Sequence, residues 1–332
     1  MRRFLLFLSL STAIAMGGWL LYHRSEIHQP GDILRLAGLQ LQQWGGTSAE
    51  FAGWRHRQTG LIRIASFNTR NLNAEKTSDP RVGPLLADII RQFDVVAVQE
   101  VDTADRFLLK RFLKEVNRTG RQFRYVMSQR PDRNSPPQQS AIFYDSSTVA
   151  LDHLQYYNVN DPDNLVKREP LVAWFRTLAG DKSFTFTLVN VQLEPQSGTN
   201  EMSQINQIFR AVRNDGRNED DVILAGCFGV DSAQLDQLAI AQGLQAVNRE
   251  HATNTQSSSQ FDNLMIDPLA TSEFTGDTGV FDFLKQYNLT LVEALAISSH
   301  LPVWAEFTVH ETGAHEQVAR TARPAPPLAH TR

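Results

Sequence analysis

The stretch "DDVILAGCFGVD", residues 220–231, decides how this chain is read. Two acidic residues open it, a short apolar run follows, and Gly226 and Gly229 bracket its end. That is the form of a buried strand running into a tight turn. At the tip stand Cys227 and Gly229, at a place where α/β folds collect their chemistry. Whether this loop carries a reaction or only a shape is settled by what surrounds it.

The same grammar extends in both directions. Strand-like runs fall at "LIRIASF" (61–67), "DVVAVQE" (94–100), "SAIFY" (140–144), "LVAWFRT" (171–177), "SFTFTLVNVQL" (183–193), "DVILAG" (221–226), "NLMID" (263–267) and "LPVWAEFTV" (301–309). Helical spacing of apolar residues falls at about 83–93, 105–117, 199–213 and 231–242. "FTFTLVNV" alternates with a period of two, as a strand with two different faces does. Strands come in pairs with few helices between them, which predicts two mixed sheets flanked by helices and not a simple βαβ array. No repeat of fixed length is visible.

With 332 residues, 42% hydrophobic and 20% charged, the chain has ordinary globular composition and can bury a large core. The net charge of −4 gives no overall attraction to nucleic acid, so any such contact rests on local patches. One cysteine excludes an internal disulfide.

Met1-Arg2-Arg3 precedes an uncharged run from Phe4 to Tyr22. Its nineteen residues span about 28 Å as a helix, close to the hydrocarbon thickness of a bilayer. The leading arginines favour a cytoplasmic N-terminus. Residues 1–23 are therefore expected to be a signal anchor, or a signal peptide cleaved after the A-x-A pattern at Ala13-Ile14-Ala15. Either reading exports the rest of the chain. Residues 24–60 read as a connector with a short helix begun at Asp32 and stopped by Gly45-Gly46, or as a loosely ordered spacer. Residues 61–310 form the expected domain, and the Ala/Pro-rich residues 311–332 read as a disordered tail.

Polar residues gather at the strand ends. Asn68 follows "RIASF", Glu100 ends "VVAVQE", Gln192 sits in "LVNVQLEP", and Cys227 follows "VILAG". Asp262 precedes "NLMID", and Ser299-His300 precede "LPVWAEF". Any one of these reads most simply as a cap or a turn residue. Six at equivalent places point to a shared crevice.

The ordered set "IASFNTRNLN", "DVVAVQEV", "RNSPPQQSAIFY", "REPLVAWF", "LVNVQLEP", "VILAGCFGVD", "QFDNLMID" and "ALAISSHLPVWAEF" resembles the endonuclease/exonuclease/phosphatase superfamily, and within it the deoxyribonuclease I-like branch. The resemblance runs over about residues 61–310. It implies an α/β fold, a four-layer α-β-β-α sandwich with the site at one end of two packed mixed sheets. It also implies divalent-metal hydrolysis of phosphate esters, usually with magnesium and two histidine–carboxylate dyads. Such chemistry needs charge neutralisation on the phosphate, an activated water and a proton donor.

Residue by residue, the resemblance makes Asn68 an orienter of phosphate or metal water and Glu100 the metal-binding carboxylate. It makes Arg168 a contact to the scissile phosphate, and Asp262 with His300 one complete dyad. The rest of the pattern is replaced. The second histidine is Gln192 and its carboxylate partner is Gln138. The G-D-F-N-A-D loop reads with Cys227 and Gly229 in place of Asp and Asn, and the S-D-H motif has Ser299 in place of its Asp.

Glutamine cannot exchange a proton near neutral pH, so the expectation is a pseudoenzyme that acts by binding, with no cofactor, or with Mg2+ if it is active. The alternative is a working divalent-metal nuclease or phosphodiesterase with an unorthodox site. A purely structural domain is a third reading. Cys227 reads as a small buried filler, because no basic or His-rich neighbourhood is visible in sequence. Expected partners are a phosphate-containing ligand or nucleic acid, the membrane through the N-terminal segment, and an unidentified protein. In the resemblance "SQRPDRNSPPQQ" (128–139) takes the place of a DNA-contacting loop, with Arg130 and Arg133 as its cations. Glu100, Gln138, Gln192, Cys227, Asp262, Ser299 and His300 are expected in one crevice, with Gln138 and Gln192 within side-chain reach of each other and hydrogen-bonded or nearly so.

Overall fold

Two residues out of three along the strands are buried, and the alternation of their side chains fixes two faces for each sheet. The structure, a computed structural model, describes residues 59–129, 138–160, 166–193, 198–230, 232–241 and 243–312. Contacts divide the chain into Met1–Gly53 and Trp54–Arg332, and every described residue belongs to the second unit. The predicted N-terminal span, almost all of the connector and all but the first two residues of the tail lie outside the described residues, as do Arg130 and Arg133. Among the described residues no helix is long and apolar enough to cross a membrane.

The first sheet contains β1 (Leu61–Leu72), β2 (Val95–Asp102), β3 (Phe123–Met127), β4 (Gln138–Asp145), β11 (Phe274–Val280) and β12 (Val303–Thr308), in the order β11-β12-β1-β2-β4-β3. The second contains β5 (Val149–Asn158), β6 (Leu171–Thr177), β7 (Thr185–Gln192), β8 (Val222–Cys227), β9 (Gln245–Ala246) and β10 (Asp262–Ile266), in the order β5-β6-β7-β8-β10-β9. Each sheet has one parallel pair, β1 with β2 and β7 with β8; the remaining pairs are antiparallel. Both sheets are mixed, as predicted.

The period of two explains how they pack. Ile62, Ile64, Val95 and Ala97 of the first sheet meet Phe186, Leu188, Ile223 and Ala225 of the second in one core. Stacked rings thicken it, with Phe184 5.1 Å from Phe186 and 5.9 Å from Phe307. The alternate residues Val189, Val191, Val222 and Leu224 face the other way, onto Ile208, Phe209, Val212, Leu235 and Ala239. These come from α4 (Gly198–Arg213) and α5 (Ser232–Ala241). The remaining helices are α1 (Ala74–Ser78), α2 (Val82–Arg91), α3 (Leu108–Val116), α6 (Phe283–Gln286) and α7 (Leu291–Ile297). The architecture is a four-layer α-β-β-α sandwich.

Elements that the sequence reading passed over are short or irregular. Arg124 interrupts the pattern of β3, and β5 shifts register between Leu151 and Tyr156. β9 has two residues, and β11 carries two glycines and a register shift. α7 did announce itself: Thr290 and Glu293 form a capping box, an S/T-x-x-E signature present in the sequence.

Candidate functional site

Parallel pairing aligns the C-terminal ends of β1 with β2 and of β7 with β8, and antiparallel β10 starts beside them. Asn68 lies opposite Gln99, Gln192 opposite Cys227, and Cys227 opposite Asp262. Gly226 makes the β7–β8 approach feasible, because a Cβ there would sit 1.9 Å from the Val191 carbonyl oxygen. Gly229 then turns the chain with φ 65°.

On the first sheet the backbone leaves regular geometry at this pole. Register slips between Asn68 and Leu72, with Arg70 at φ 46° and Asn71 at φ 71°. Glu100 sits at φ 60° inside the β2–β4 irregularity between Val98 and Val101. Left-handed backbone at non-glycine residues costs about 1–3 kcal/mol and persists where surroundings enforce it. For Glu100 the surroundings are specific. Its Oε1 accepts from Asn68 Nδ2 at 3.0 Å and from Gln192 Nε2 at 3.0 Å, and the Arg70 guanidinium lies 3.9 Å away. Asn68 is held in this orientation because its Oδ1 accepts from the Arg70 backbone at 2.9 Å.

His300 and Asp262 form a tight pair, Nδ1 to Oδ2 at 2.7 Å. Burial alone pulls the imidazole's pKa down; the charge and hydrogen bond of Asp262 outweigh it and raise it above its ordinary value. Thr253 Oγ1 donates to the same Asp262 oxygen at 3.0 Å. With Nδ1 committed, Nε2 is the nitrogen left to meet a ligand.

Cys227 is buried, as expected of a filler, but its neighbours were not expected. Its Sγ, a carboxylate oxygen of Asp262 and a ring nitrogen of His300 lie within 4.8 Å of one another. The thiol is pushed well above its ordinary pKa, first by burial and then by the Asp262 charge, with Glu100 adding to it. It is a protonated thiol facing carboxylates, not an activated nucleophile. The Asn68 side chain also faces it, so Asn68, Glu100, Gln192, Cys227, Asp262 and His300 make one connected cluster.

Three predicted residues stand differently. Gln138 Oε1 accepts from Arg168 Nη2 at 2.8 Å, and Gln192 donates to Glu100. The expected Gln138–Gln192 bond is therefore not formed. The physical reason is charge: a guanidinium and a carboxylate are each stronger partners for an amide than another amide is. Ser299 takes part through its backbone oxygen, which accepts from Thr255 N at 3.0 Å.

The surroundings of Glu100 do not fit the magnesium that the sequence pattern implies. Magnesium asks for an octahedron of oxygen atoms. Around its Oε1 the neighbours are N–H groups of Asn68, Gln192 and Arg70 and not further oxygen ligands. Among the described residues Glu100 belongs to no group of three ligand-type side chains within 4.8 Å.

Sequence reading missed the residues that hold the cluster. Lys76 is buried and donates to Thr69 O at 2.8 Å, Arg70 O at 2.8 Å and Ile297 O at 3.0 Å, tying β1 to α7. Burial pulls its pKa down to about 7, with Glu100 opposing the shift and Arg70 adding to it. Ser298 Oγ donates to Asn68 O at 2.7 Å and accepts from His300 N at 3.0 Å. Beneath the site Gln99 Nε2 donates to Asn190 Oδ1 at 2.8 Å, and Asn190 returns bonds to Val98 O and Ala141 O at 3.0 Å each. Polar residues at otherwise apolar strand positions, such as Gln99 and Asn190, were the available signal. Lys76 and Thr253 carried none.

Comparison with known proteins identifies the family. The Endonuclease/Exonuclease/phosphatase family profile matches residues 65–281. Mouse (Mus musculus) deoxyribonuclease gamma is 26% identical over 265 residues, covering 74% of this chain and 84% of the relative. Mouse deoxyribonuclease-1-like 1 is 26% identical over 290 residues, covering 84% and 91%. A solved endonuclease/exonuclease/phosphatase family protein from Bacteroides thetaiotaomicron superposes with a TM-score of 0.53 at 18% identity, covering 76% of this chain and 99% of that one. One from Bacteroides vulgatus gives 0.51 at 14% identity, covering 75% and 99%. These likenesses, the profile and the two-sheet sandwich agree: the chain belongs to the endonuclease/exonuclease/phosphatase family, with a deoxyribonuclease I-like domain.

Proposed function

We propose that the chain is an exported, membrane-tethered member of this family that binds a phosphate-containing ligand without hydrolysing it. The observation that carries the reading is the state of Glu100. Two amides donate to its Oε1 with a guanidinium 3.9 Å from the same oxygen, and neither amide can shuttle a proton as the family's histidine would. The thiol of Cys227 adds no anionic ligand, since burial and nearby carboxylates keep it protonated.

What remains suits binding an anion. His300, raised by Asp262, offers an Nε2–H to a phosphate oxygen when protonated, Asn68 borders the same cluster, and the family pattern would add Arg168, whose guanidinium is bonded to Gln138. The deoxyribonuclease relatives make a DNA strand the first ligand to try. Calorimetry of the full chain with a short DNA duplex and with inorganic phosphate tests this. Heat that is lost in His300→Gln supports the reading, and no heat with either probe removes it. Membrane tethering and export rest on the Arg2-Arg3 flank and the Phe4–Tyr22 run. A topology reporter fused after residue 60 that is active only in the cytoplasm would refute them.

A second reading, an active divalent-metal hydrolase, is favoured by one observation: the intact Asp262–His300 pair. Turnover of a phosphodiester substrate by the purified chain separates the two.

A further inference from the structure

Charge is unevenly spread along this chain. From Asp105 to Arg124, seven of twenty residues are lysine or arginine and two are acidic, within an overall net charge of −4. α3 organises most of them. Arg106, Lys110, Arg111, Lys114 and Arg118, on the helix and its flanking turns, are exposed, while Leu108, Leu109, Phe112 and Val116 are buried. At about 3.6 residues per turn the five cations share one side of the helix over about 18 Å. Arg111 pairs with Asp105, and Arg118 with Glu115 at 2.8 Å. Such surface pairs contribute little and leave both guanidinium groups within reach of a ligand. Among the described residues Arg106, Lys110 and Lys114 enter no ion pair.

Beside this face lies a groove of about 630 Å3 between α3 and the α1–α2 junction. Arg111, Lys114 and Arg118 line it from α3, and Thr77 and Ser78 from α1. Its acids are already engaged: Asp79 accepts from Arg81 N at 2.8 Å and Val82 N at 3.0 Å, and Glu115 holds Arg118. A groove with three cations and two hydroxyls suits a phosphate group.

The face fits a polyanion, and two observations favour a lipid surface over a nucleic acid. Phe107, 48% exposed, stands among the cations, with the Arg106 guanidinium over its ring at 4.6 Å. An exposed aromatic among cations is the pattern of a membrane interface, whereas a ring face covered by arginine is closed to base stacking. The second observation is the course of the chain. Arg91 Nη1 donates to Glu115 O at 3.2 Å and Val116 O at 3.3 Å, so α3 ends where α2 hands over to β2, and Val95 of β2 lies opposite Ile64 of β1. The C-terminal end of α3 is thus at the pole where the chain enters the domain, away from the Glu100 end of β2. We propose that the basic face of α3 docks on an anionic lipid surface, with headgroup phosphates in the groove beside it, a choice that rests on the N-terminal tether proposed above. Each cation held near an anionic leaflet strengthens attachment about fivefold. Docking through this outer helix layer leaves the crevice at the end of the sandwich uncovered.

The test is lysine acylation of the full chain, read residue by residue by mass spectrometry. It is run on phosphatidylcholine vesicles, on vesicles with about a third phosphatidylserine, and with a short DNA duplex. Lys285, whose side chain is 79% exposed on α6, is the reference. Lys110 and Lys114 are expected to react at least about fivefold more slowly on the anionic vesicles than on the neutral ones, and high salt should remove the difference. Arg106→Gln, Arg111→Gln and Arg118→Gln together keep both reporter lysines and should bring their rates back to those on neutral vesicles. Flotation of the chain with neutral vesicles reports the N-terminal tether by itself. Flotation with equal lysine rates on the two kinds of vesicle overturns the proposal and leaves the tether standing. Protection on anionic vesicles without flotation on neutral ones supports the proposal and removes the tether. Protection by the duplex and not by anionic vesicles overturns the proposal in favour of nucleic acid.

Discussion

Gln192 Nε2 donates to Glu100 Oε1 at 3.0 Å, so the residue expected to face Gln138 instead bonds the carboxylate that the family pattern makes the metal ligand. A histidine at 192 would meet that carboxylate as a charged partner. Gln192→His alone should therefore give an imidazole locked to Glu100 and no hydrolysis above background. Restoration should need Gln138→Glu, Gln192→His, Cys227→Asp, Gly229→Asn and Ser299→Asp together, checked by magnesium-dependent cleavage of a phosphodiester. Activity in the single variant would contradict this.

Phosphate binding should fall as pH rises through the raised pKa of His300. The linkage has a definite sign. The folded pKa lies above the unfolded value, so the pair's contribution is fully present below about pH 6.5 and is lost as pH rises through the folded pKa. Asp262→Asn should lower the His300 pKa and weaken ligand binding about tenfold or more, since charge-assisted hydrogen bonds are worth about 1.5–3 kcal/mol. NMR titration of His300 in parent and variant checks both statements.

Lys76→Met should destabilise the fold by more than about 2 kcal/mol, because two buried carbonyls and one partly buried carbonyl lose their donor. In the parent, burial holds the folded pKa at about 7, below the ordinary lysine value of 10.5. The unfolded chain binds more protons between those values, so this group makes stability rise with pH across that window. Urea unfolding of both proteins at several pH values should show the rise in the parent and not in Lys76→Met.

Gly226→Ala should fold poorly or cost about 3 kcal/mol or more, since the new methyl collides with the Val191 carbonyl. The yield of soluble protein and the Tm are the readouts. A variant as stable as the parent would mean that the β7–β8 spacing is wrong.

Much of the architecture was legible because two buried faces impose a period of two on the central strands. β6 coincides with its predicted run, and β1, β2, β7, β8, β10 and β12 fall on theirs within a few residues. Edge strands were not legible, since β3, β9 and β11 bury less and tolerate Arg124, glycine or a length of two residues. At the site, strand-end residues could be named from sequence because strand ends are marked by the pattern. Their pairings could not. Gln138 chose Arg168 and Gln192 chose Glu100, a decision made by charge across separations of 30 and 92 residues. Cys227 lies near a histidine 73 positions away because β8–β10 pairing sets it opposite Asp262, the partner of His300. The loop "CFGV" accordingly keeps its turn and its place in the cluster, while its thiol stays protonated.

The central claim is that the site binds phosphate but does not turn it over. Its most direct test is a magnesium titration of the full chain followed by a phosphodiesterase and DNA-cleavage assay on the same sample. The account predicts no magnesium binding at Glu100 and no cleavage above buffer. Magnesium-dependent cleavage that disappears in Glu100→Ala or His300→Ala would contradict it.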